Sequence, residues 1–489
     1  MLKHEEERRI YERSARLILL LALRDVCPGA SLRIEHSIGH GVYMNVEGVS
    51  LTAALVRKIE QRMHEIAQED LPIVKSRWTR QQAMDYFAAQ GQNDTVRLLS
   101  YRPFEHFDVY TCDGLSEYFY GDMAASTGAI RQFALRFYYP GMVLLLPGDD
   151  LSGPPAPFAE RPQLMRTYAG ANEHSRILKC ESAADLNDII ARGEARAFIR
   201  VNEALQERAI AQIAERIVAR GARVVFVAGP SSSGKTTFAN RLSIQLRVSG
   251  KHPVAISLDD YYLNREDVPL GEDGTPDLEC LESIDVPLFN EQLVELLAGR
   301  EVELPRYSFH TKRREAQGVK MQISQDDVLI VEGIHGLNDK LSCDIPSELK
   351  FRVYVSALTQ LNLDGHNRIR TTDVRLMRRM VRDHRTRSTD ALQTLQMWDK
   401  VRAGEEKYIF PFQEKADVMF NTSLLYEIAV LKKYAYPMLS AIAADSPYYT
   451  RARRLCKFLH YFKDMNEEDE IPPISILREF IGGCSFYGE

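Results

Sequence analysis

Apolar residues recur with two different periods, and the change between them divides the chain. Residues 52–68 carry Leu55, Ile59, Met63 and Ile66 at helical spacing, which predicts an amphipathic helix. Ahead of it, an opening helix runs through Leu23 to a stop at Pro28-Gly29, and residues 31–46 read as two strands turned at Gly39-His40-Gly41. Residues 110–139 mix short strands with turns, so the front of the chain has α+β character. Gly148, Gly153, Pro154, Pro155 and Pro157 then follow in one short span, a composition in which neither a helix nor a central strand persists. A second, partly helical connector extends over 164–195. From Phe198 the chain is periodic again, and Ala204, Ala209, Ile213 and Ile217 predict a helix lying on the next sheet. Short apolar runs at 223–228, 253–258, 327–331 and 351–355 read as buried parallel strands. Strands alternating with helices predict a doubly wound α/β fold. Residues 424–442 and 452–462 read as helices, and Ile471-Pro472-Pro473 opens a last short segment whose default role is packing. The division is an α+β unit over 1–160, a connector over 161–197, an α/β domain over 198–440 and a helical tail over 441–489.

With 489 residues the chain has room for two or three domains. No uncharged run reaches the roughly 18 residues of a membrane helix. The apolar run at 17–23 is too short, and the acidic and basic residues from Lys3 to Arg9 precede it, which a secretory signal would not carry. The seven cysteines form no CxxC pair, as expected of free thiols in a reducing compartment. These features predict a cytoplasmic protein without a membrane partner. The net charge of −6 offers no global basic field, so nucleic acid is not the expected partner; a homo-oligomer is compatible with the composition. His36 and His40 are four apart but sit at the predicted strand turn, and zinc needs further ligands, so ordinary turn histidines are expected there.

The chemistry concentrates after residue 228. Gly229-Pro230-Ser231-Ser232-Ser233-Gly234-Lys235-Thr236-Thr237 matches the phosphate-binding loop pattern in its required context, after a strand and before a helix. In such a loop backbone N–H groups cradle phosphate oxygens, the lysine reaches the terminal phosphates, and the next hydroxyl, here Thr236, ligates Mg²⁺. ATP and Mg²⁺ are therefore expected. The following strand ends at Asp259-Asp260, and ligands of open parallel sheets bind beyond the carboxyl ends of strands. Asp259 is expected to face the site as base or Mg²⁺ ligand, and Asp260 to cap or be solvated, because neighbours in an extended chain point to opposite sides. Glu332 ends the next strand in the same way and fits a second Mg²⁺ ligand; Gly333 permits close backbone approach. Arg375, Arg379 and Arg382 share one helical face, with Arg387 near the helix end. Such arginines bind phosphate and neutralise a transferring phosphoryl group, unless they form a solvated basic face or an RNA patch.

Ser257-Leu258-Asp259-Asp260-Tyr261-Tyr262, Pro305-Arg306-Tyr307-Ser308-Phe309, Val331-Glu332-Gly333-Ile334 and Arg378-Arg379-Met380-Val381-Arg382-Asp383 together resemble the uridine/cytidine kinase and phosphoribulokinase family over about residues 198–425. The resemblance implies a catalytic base at Asp259, sugar contacts from Tyr262 and Glu279, a base pocket at Tyr307 and Phe309 with Arg314, and lid arginines at Arg379, Arg382 and Arg387. Lys312 stands where uridine kinases often carry histidine, and the last family arginine falls on Thr389. The expected function is ATP- and Mg²⁺-dependent phosphorylation of a nucleoside 5′-hydroxyl, as in pyrimidine salvage. Two rivals stay open: a kinase of another hydroxylated metabolite, such as a sugar phosphate or pantothenate, and an ATP-switched RNA-binding or regulatory protein. The front unit, through Leu32-Arg33-Ile34, Gly41-Val42-Tyr43-Met44-Asn45-Val46 and residues 59–67, resembles the editing domain of threonyl-tRNA synthetases. That family's HxxxH falls here on Arg13, Ser14, Arg16 and Leu17, and its later CxxxH near residues 119–123, so editing chemistry is not expected. The pairing of both resemblances is similar to a bacterial group of long uridine kinase-like proteins.

Overall fold

The protein is described by a computed structural model covering residues 2–271, 274–308 and 311–487. Helices are α1 (Leu2–Val26), α2 (Ala53–Glu69), α3 (Arg80–Ala89), α4 (Asn93–Ser100), α5 (Pro162–Ile177), α6 (Ala183–Ala191), α7 (Ala195–Arg220), α8 (Lys235–Val248), α9 (Val286–Leu297), α10 (Thr371–Arg387), α11 (Ala391–Tyr408), α12 (Glu427–Ser440), α13 (Tyr449–Leu459) and α14 (Arg478–Ile481). Strands are β1 (Ser31–Ile38), β2 (Gly41–Glu47), β3 (Val74–Thr79), β4 (His106–Cys112), β5 (Leu115–Glu117), β6 (Ala134–Tyr138), β7 (Gly141–Leu145), β8 (Val224–Ala228), β9 (His252–Ser257), β10 (Val302–Leu304), β11 (Tyr307–Ser308), β12 (Arg313–Arg314), β13 (Val319–Met321), β14 (Asp327–Glu332), β15 (Lys350–Ser356) and β16 (Val418–Asn421).

The apolar runs of the second half form one parallel sheet in the order β16-β15-β8-β14-β9. β8 is buried at every position and lies at the centre. The chain leaves it towards β9 and β14 on one side and returns to β15 and β16 on the other. The strand order thus reverses beside β8, where open α/β sheets bind ligands. α7 and α8 pack together against this sheet. The buried face of α7 differs from the expected one. Ile213 and Ile217 are buried, but Ala204 is exposed and Ala209 only half-buried. Asn202, Glu203 and Gln206 take the inner face instead, and Glu203 accepts hydrogen bonds of 2.6 Å from both the Tyr426 and Ser475 hydroxyls. Apolar spacing alone misses a buried stripe that is held by polar contacts such as these, Gln206 accepting from Arg241 through its oxygen alone among the described residues.

In the front half, β1-β2-β7-β6 form an antiparallel sheet covered by α1 and α2, with their own apolar cluster around Leu17, Ile18, Met44, Ile59, Met63 and Met142. α2 starts where Thr52 accepts a hydrogen bond from the Leu55 N–H, an N-cap. The strand pair turned at residues 39–40 is present as β1 and β2. His36 faces inward on β1 and stacks on Tyr168 at 3.7 Å, while His40 is exposed in the turn. Among the described residues no group of three or more His, Cys, Asp or Glu side chains could hold a metal ion. The second antiparallel sheet, β3-β4-β5, packs with α3 and α4 into the same apolar cluster as α7 and the parallel sheet. No helix among the described residues is long and apolar enough to cross a membrane.

The two halves are joined at the segment leading into α10. The Ile34 N–H donates to the Gly365 carbonyl at 2.8 Å, and the Asn362 amide donates to the Ile34 carbonyl at 2.7 Å. Glu12 of α1 is buried against Arg368 and Arg370, and Asp373 at the start of α10 is clasped by Arg9 and Arg454. His366 Nδ1 lies 3.0 Å from Glu117 Oε2, the histidine half-buried and the glutamate buried. Burial alone would depress this imidazole, yet the Glu117 carboxylate raises it from 6.5 to about 9. A histidine raised on folding contributes stability that is complete below about 6.5 and lost as the pH passes through about 9. Urea midpoints should therefore fall between pH 6.5 and 9.5, and His366→Gln should flatten that slope by an amount on the order of 3 kcal/mol. Neighbouring Asp364, raised by burial to about 7, gives a slope of the same sign but over lower pH. Identical slopes in the two proteins above pH 7 would refute the pairing.

Candidate active site

The loop after β8 is shaped by its glycines and held by distant side chains. A Cβ on Gly229 would run into the Val355 carbonyl oxygen, so the strand can only leave the sheet there as glycine. Ser232 and Gly234 have φ of +57° and +84°, left-handed positions that bend the chain sharply before α8 begins at Lys235. The Ser232 and Ser233 hydroxyls are buried without a hydrogen-bond partner among the described residues. The Thr422 hydroxyl donates to the Ser233 carbonyl at 2.6 Å. Arg375 donates twice to the Ser231 carbonyl, at 2.9 and 3.0 Å, and Arg379 donates to the Ser231 hydroxyl at 2.8 Å.

Three carboxylates converge on Lys235. Glu332 ends β14 opposite Val227 and Ser257, which carries it to the loop, and it accepts from the Thr236 hydroxyl at 2.8 Å. Burial raises Glu332 to about 7 against the opposing pull of Lys235. Burial likewise raises Asp259, with Lys235 pulling it down and Asp260 pushing it up. Glu279 is raised by burial and by Glu405 to about 7, while Arg379 and Lys235 lower it. Among the described residues Lys235 itself makes one long contact, Nζ to the Pro230 carbonyl at 3.4 Å.

Asp259 and Asp260 do diverge, but not through strand alternation. They lie in a 3₁₀ turn over Leu258–Tyr261, where successive residues step by about 120°. The Asp259 N–H donates to the Ser257 hydroxyl at 3.2 Å, while Asp260 turns away to accept from the Tyr307 N–H at 3.2 Å. Tyr262 sits beside Asp259 and Glu279, both of which help burial raise its phenol, and its ring lies 5.6 Å from that of Tyr307. Phe309 lies outside the described residues. Arg314 is engaged in bracing: it donates to the Tyr262 and Tyr261 carbonyls at 2.9 Å each and pairs with Asp285 at 3.0 Å.

α10 is not a solvated basic face. Val374, Leu376, Met377, Met380 and Val381 fix it in the core, and Arg375 and Arg378 are fully buried against Glu405 and Glu427. Arg379, Arg382 and Arg387 gather around Asp383 on the side of the loop, and Arg387 lowers the pKa of Asp259.

Two contributors to the site have no local signal in the sequence. Glu405 of α11 accepts from the Ser231 N–H at 3.0 Å and from Arg375. Residues of the tail also reach the loop: Glu479 accepts from the Thr237 hydroxyl at 2.7 Å, and the Tyr487 hydroxyl lies 3.3 Å from it. The tail therefore does more than pack.

In the front half, the residues on which the sequence resemblance set the two editing pairs lie against each other. Arg13 Nε donates to the Asp122 carbonyl at 2.8 Å, the Ser14 hydroxyl accepts from the Ala124 N–H at 2.9 Å, and Arg16 lies over the Phe119 ring. These groups carry guanidinium and hydroxyl chemistry rather than metal ligands. The full-length protein should hydrolyse seryl-tRNA no faster than buffer; measurable deacylation would contradict this.

A central strand, a glycine loop, a lysine and acids at the neighbouring strand ends define a phosphate-loop kinase, a phosphotransferase acting on a hydroxyl acceptor. The family described as phosphoribulokinase / uridine kinase matches residues 224–428. A uridine kinase of Yersinia pestis (strain Pestoides F) is 31% identical over 202 residues, spanning 40% of this chain and 85% of that one. A uridine kinase of Proteus mirabilis (strain HI4320) is 29% identical over 201 residues, 40% of this chain and 85% of its own. A solved structure described as a possible uridine kinase from Bacillus stearothermophilus is 22% identical, covers 43% of this chain and 97% of its own, and superposes with a TM-score of 0.30. The chain belongs to the phosphoribulokinase/uridine kinase family.

Proposed function

We propose that the protein transfers the terminal phosphoryl group of ATP to the 5′-hydroxyl of a nucleoside, uridine or cytidine. The observation that carries this reading is the convergence of Lys235, Asp259, Glu279 and Glu332 beyond the carboxyl ends of β8, β9 and β14. The residues present suit a triphosphate with its metal. The Ser232 and Ser233 hydroxyls, buried without a partner among the described residues, are donors suited to an anion, and the Thr236 hydroxyl with Glu332 offers hard oxygen ligands. Thr236 and Glu332 would hold Mg²⁺, with Asp259 near enough in the same field to share it. Bound there, Mg²⁺ supplies neutralisation of phosphate charge.

In this mechanism Lys235 neutralises the terminal phosphates, and Arg379, Arg382 and Arg387 face the transferring group from α10. Asp259 accepts the proton of the attacking hydroxyl as the new O–P bond forms and the bond to ADP breaks. Its raised pKa makes it a better proton acceptor than an ordinary aspartate. Glu279 and Tyr262 flank Asp259 and would orient the ribose, with the Tyr307 ring tilted against Tyr262. The uridine kinase names among the relatives support pyrimidine nucleosides as acceptors. The test is ADP release with a panel of nucleosides, sugars, sugar phosphates, pantothenate and tRNA, followed by mass identification of the product. A nucleoside 5′-monophosphate is expected; turnover with a non-nucleoside acceptor alone would overturn the substrate class.

A further inference from the structure

The last segment of the chain lies against the phosphate loop at the place where a nucleotide phosphate belongs. Lys235, Thr236 and Thr237 form the first turn of α8, whose N–H groups have no carbonyl partner within the helix. In a phosphate loop those donors receive phosphate oxygens. Here one carboxylate oxygen of Glu479 accepts from both the Thr237 hydroxyl, at 2.7 Å, and the Thr237 N–H, at 3.4 Å. The contact is built rather than incidental. Ile476 packs so closely on Gly234 that its Cγ2 would stand 2.5 Å from a Cβ there. The Phe480 ring lies 5.0 Å under the Arg378 guanidinium, and Arg385 of α10 donates to the Glu479 carbonyl. Ser475 bonds to Glu203 of α7, and Arg478 is tied to the Ile471 and Glu468 carbonyls. Thr237 is completely buried beneath the carboxylate.

A carboxylate and a phosphate carry the same sign and require the same donors, so the two cannot share the Thr237 N–H and hydroxyl. The geometry points to Glu479 as a residue of the nucleotide site: an internal stand-in for a nucleotide phosphate that must withdraw from Thr237 before ATP can bind, and that thereby sets the affinity of the site for phosphate-bearing ligands. The inference rests on the kinase reading but not on the identity of the acceptor. It makes the tail an element through which nucleotide occupancy and the position of α10 are linked, since Arg378 and Arg385 contact the same segment.

The experiment is isothermal titration of the full-length protein, Glu479→Gln and Glu479→Ala with MgATP, inorganic tripolyphosphate and adenosine, with thermal melting as a check that each variant is folded. Glutamine keeps the size and an acceptor but removes the charge. A hydrogen bond to a charged group contributes about 1.5–3 kcal/mol, which corresponds to roughly a 10- to 100-fold gain when the competitor is neutralised. Both variants should therefore bind MgATP and tripolyphosphate at least about tenfold more tightly than the unmodified chain, with adenosine affinity unchanged. Unchanged or weaker phosphate binding in folded Glu479→Gln would overturn the inference while leaving the kinase reading intact. An equal gain for adenosine would also overturn it, because the effect would then not be competition for phosphate. Absence of MgATP binding in all three proteins would sink both the inference and the kinase reading.

Discussion

Lys235→Ala should lower phosphoryl transfer by at least about 10²–10³-fold, the typical effect of removing one preorganised group that stabilises transition-state charge. The residue is half-buried at the first position of α8, and among the described residues its ammonium makes only a long contact, to the Pro230 carbonyl. It is thus held in the loop without a formal salt bridge among the described residues. Alanine is the best helix former, and the lost side chain supports no apolar core, so the fold should persist. A second consequence follows from the electrostatics. Lys235 pulls down the pKa values of Asp259, Glu279 and Glu332, so its removal should raise all three. Any residual activity that depends on an ionised carboxylate should then need a higher pH than in the unmodified enzyme. Steady-state ADP release across pH 6–9 checks both effects. A kcat comparable to that of the unmodified chain would rule out the role given to Lys235.

What the sequence made legible were features written over a few adjacent residues. The glycine loop and Lys235 follow β8, Asp259 lies in the turn just after β9, and Glu332 ends β14, so each comes at or soon after a strand that its own apolar residues declare. Parallel pairing then places β9 and β14 beside β8, and the strand ends arrive together without further information. The parts that stayed hidden depend on contacts across long stretches of chain. Glu405 meets Ser231 at a separation of 174 residues, and Glu479 meets Thr237 at 242. Nothing in the local pattern of α11 or of the tail marks those glutamates, because a buried charge differs from a surface one only through its partner. The same holds for Arg375, which helical spacing grouped with Arg379 and Arg382 but which is buried against Glu405. The inner face of α7 was misread for a related reason: Asn202, Glu203 and Gln206 look solvent-facing until Leu425, Tyr426, Ser475 and Arg241 supply hydrogen bonds to them.

Asp259→Asn should reduce kcat far more than Asp260→Asn, although the two residues are adjacent and chemically identical. Asp259 stands in the field of Lys235 and Arg387 with its carboxyl raised by burial, next to Tyr262 and Glu279. Asp260 is already employed: its carboxylate accepts from the Tyr307 N–H at 3.2 Å and so secures β11 to the turn. Asparagine retains an oxygen acceptor, so Asp260→Asn preserves that bond and should change kcat by only a few-fold. At position 259 the same substitution removes the proposed proton acceptor, and loss of a general base typically costs about 10²–10⁴-fold. Because proton transfer occurs in the transition state, the loss should appear in kcat rather than as a raised KM for the nucleoside. If Asp259 also contacts Mg²⁺, the variant will need more Mg²⁺, so the comparison is made at saturating ATP, Mg²⁺ and uridine or cytidine. The pH profile supplies an independent readout. In the unmodified enzyme activity should rise with pH as the raised Asp259 carboxyl ionises, and in Asp259→Asn that limb should disappear while it persists in Asp260→Asn. Equal losses in the two variants, or a larger loss at Asp260, would transfer the base role away from Asp259 and would imply that the 3₁₀ turn reorients when the nucleoside binds.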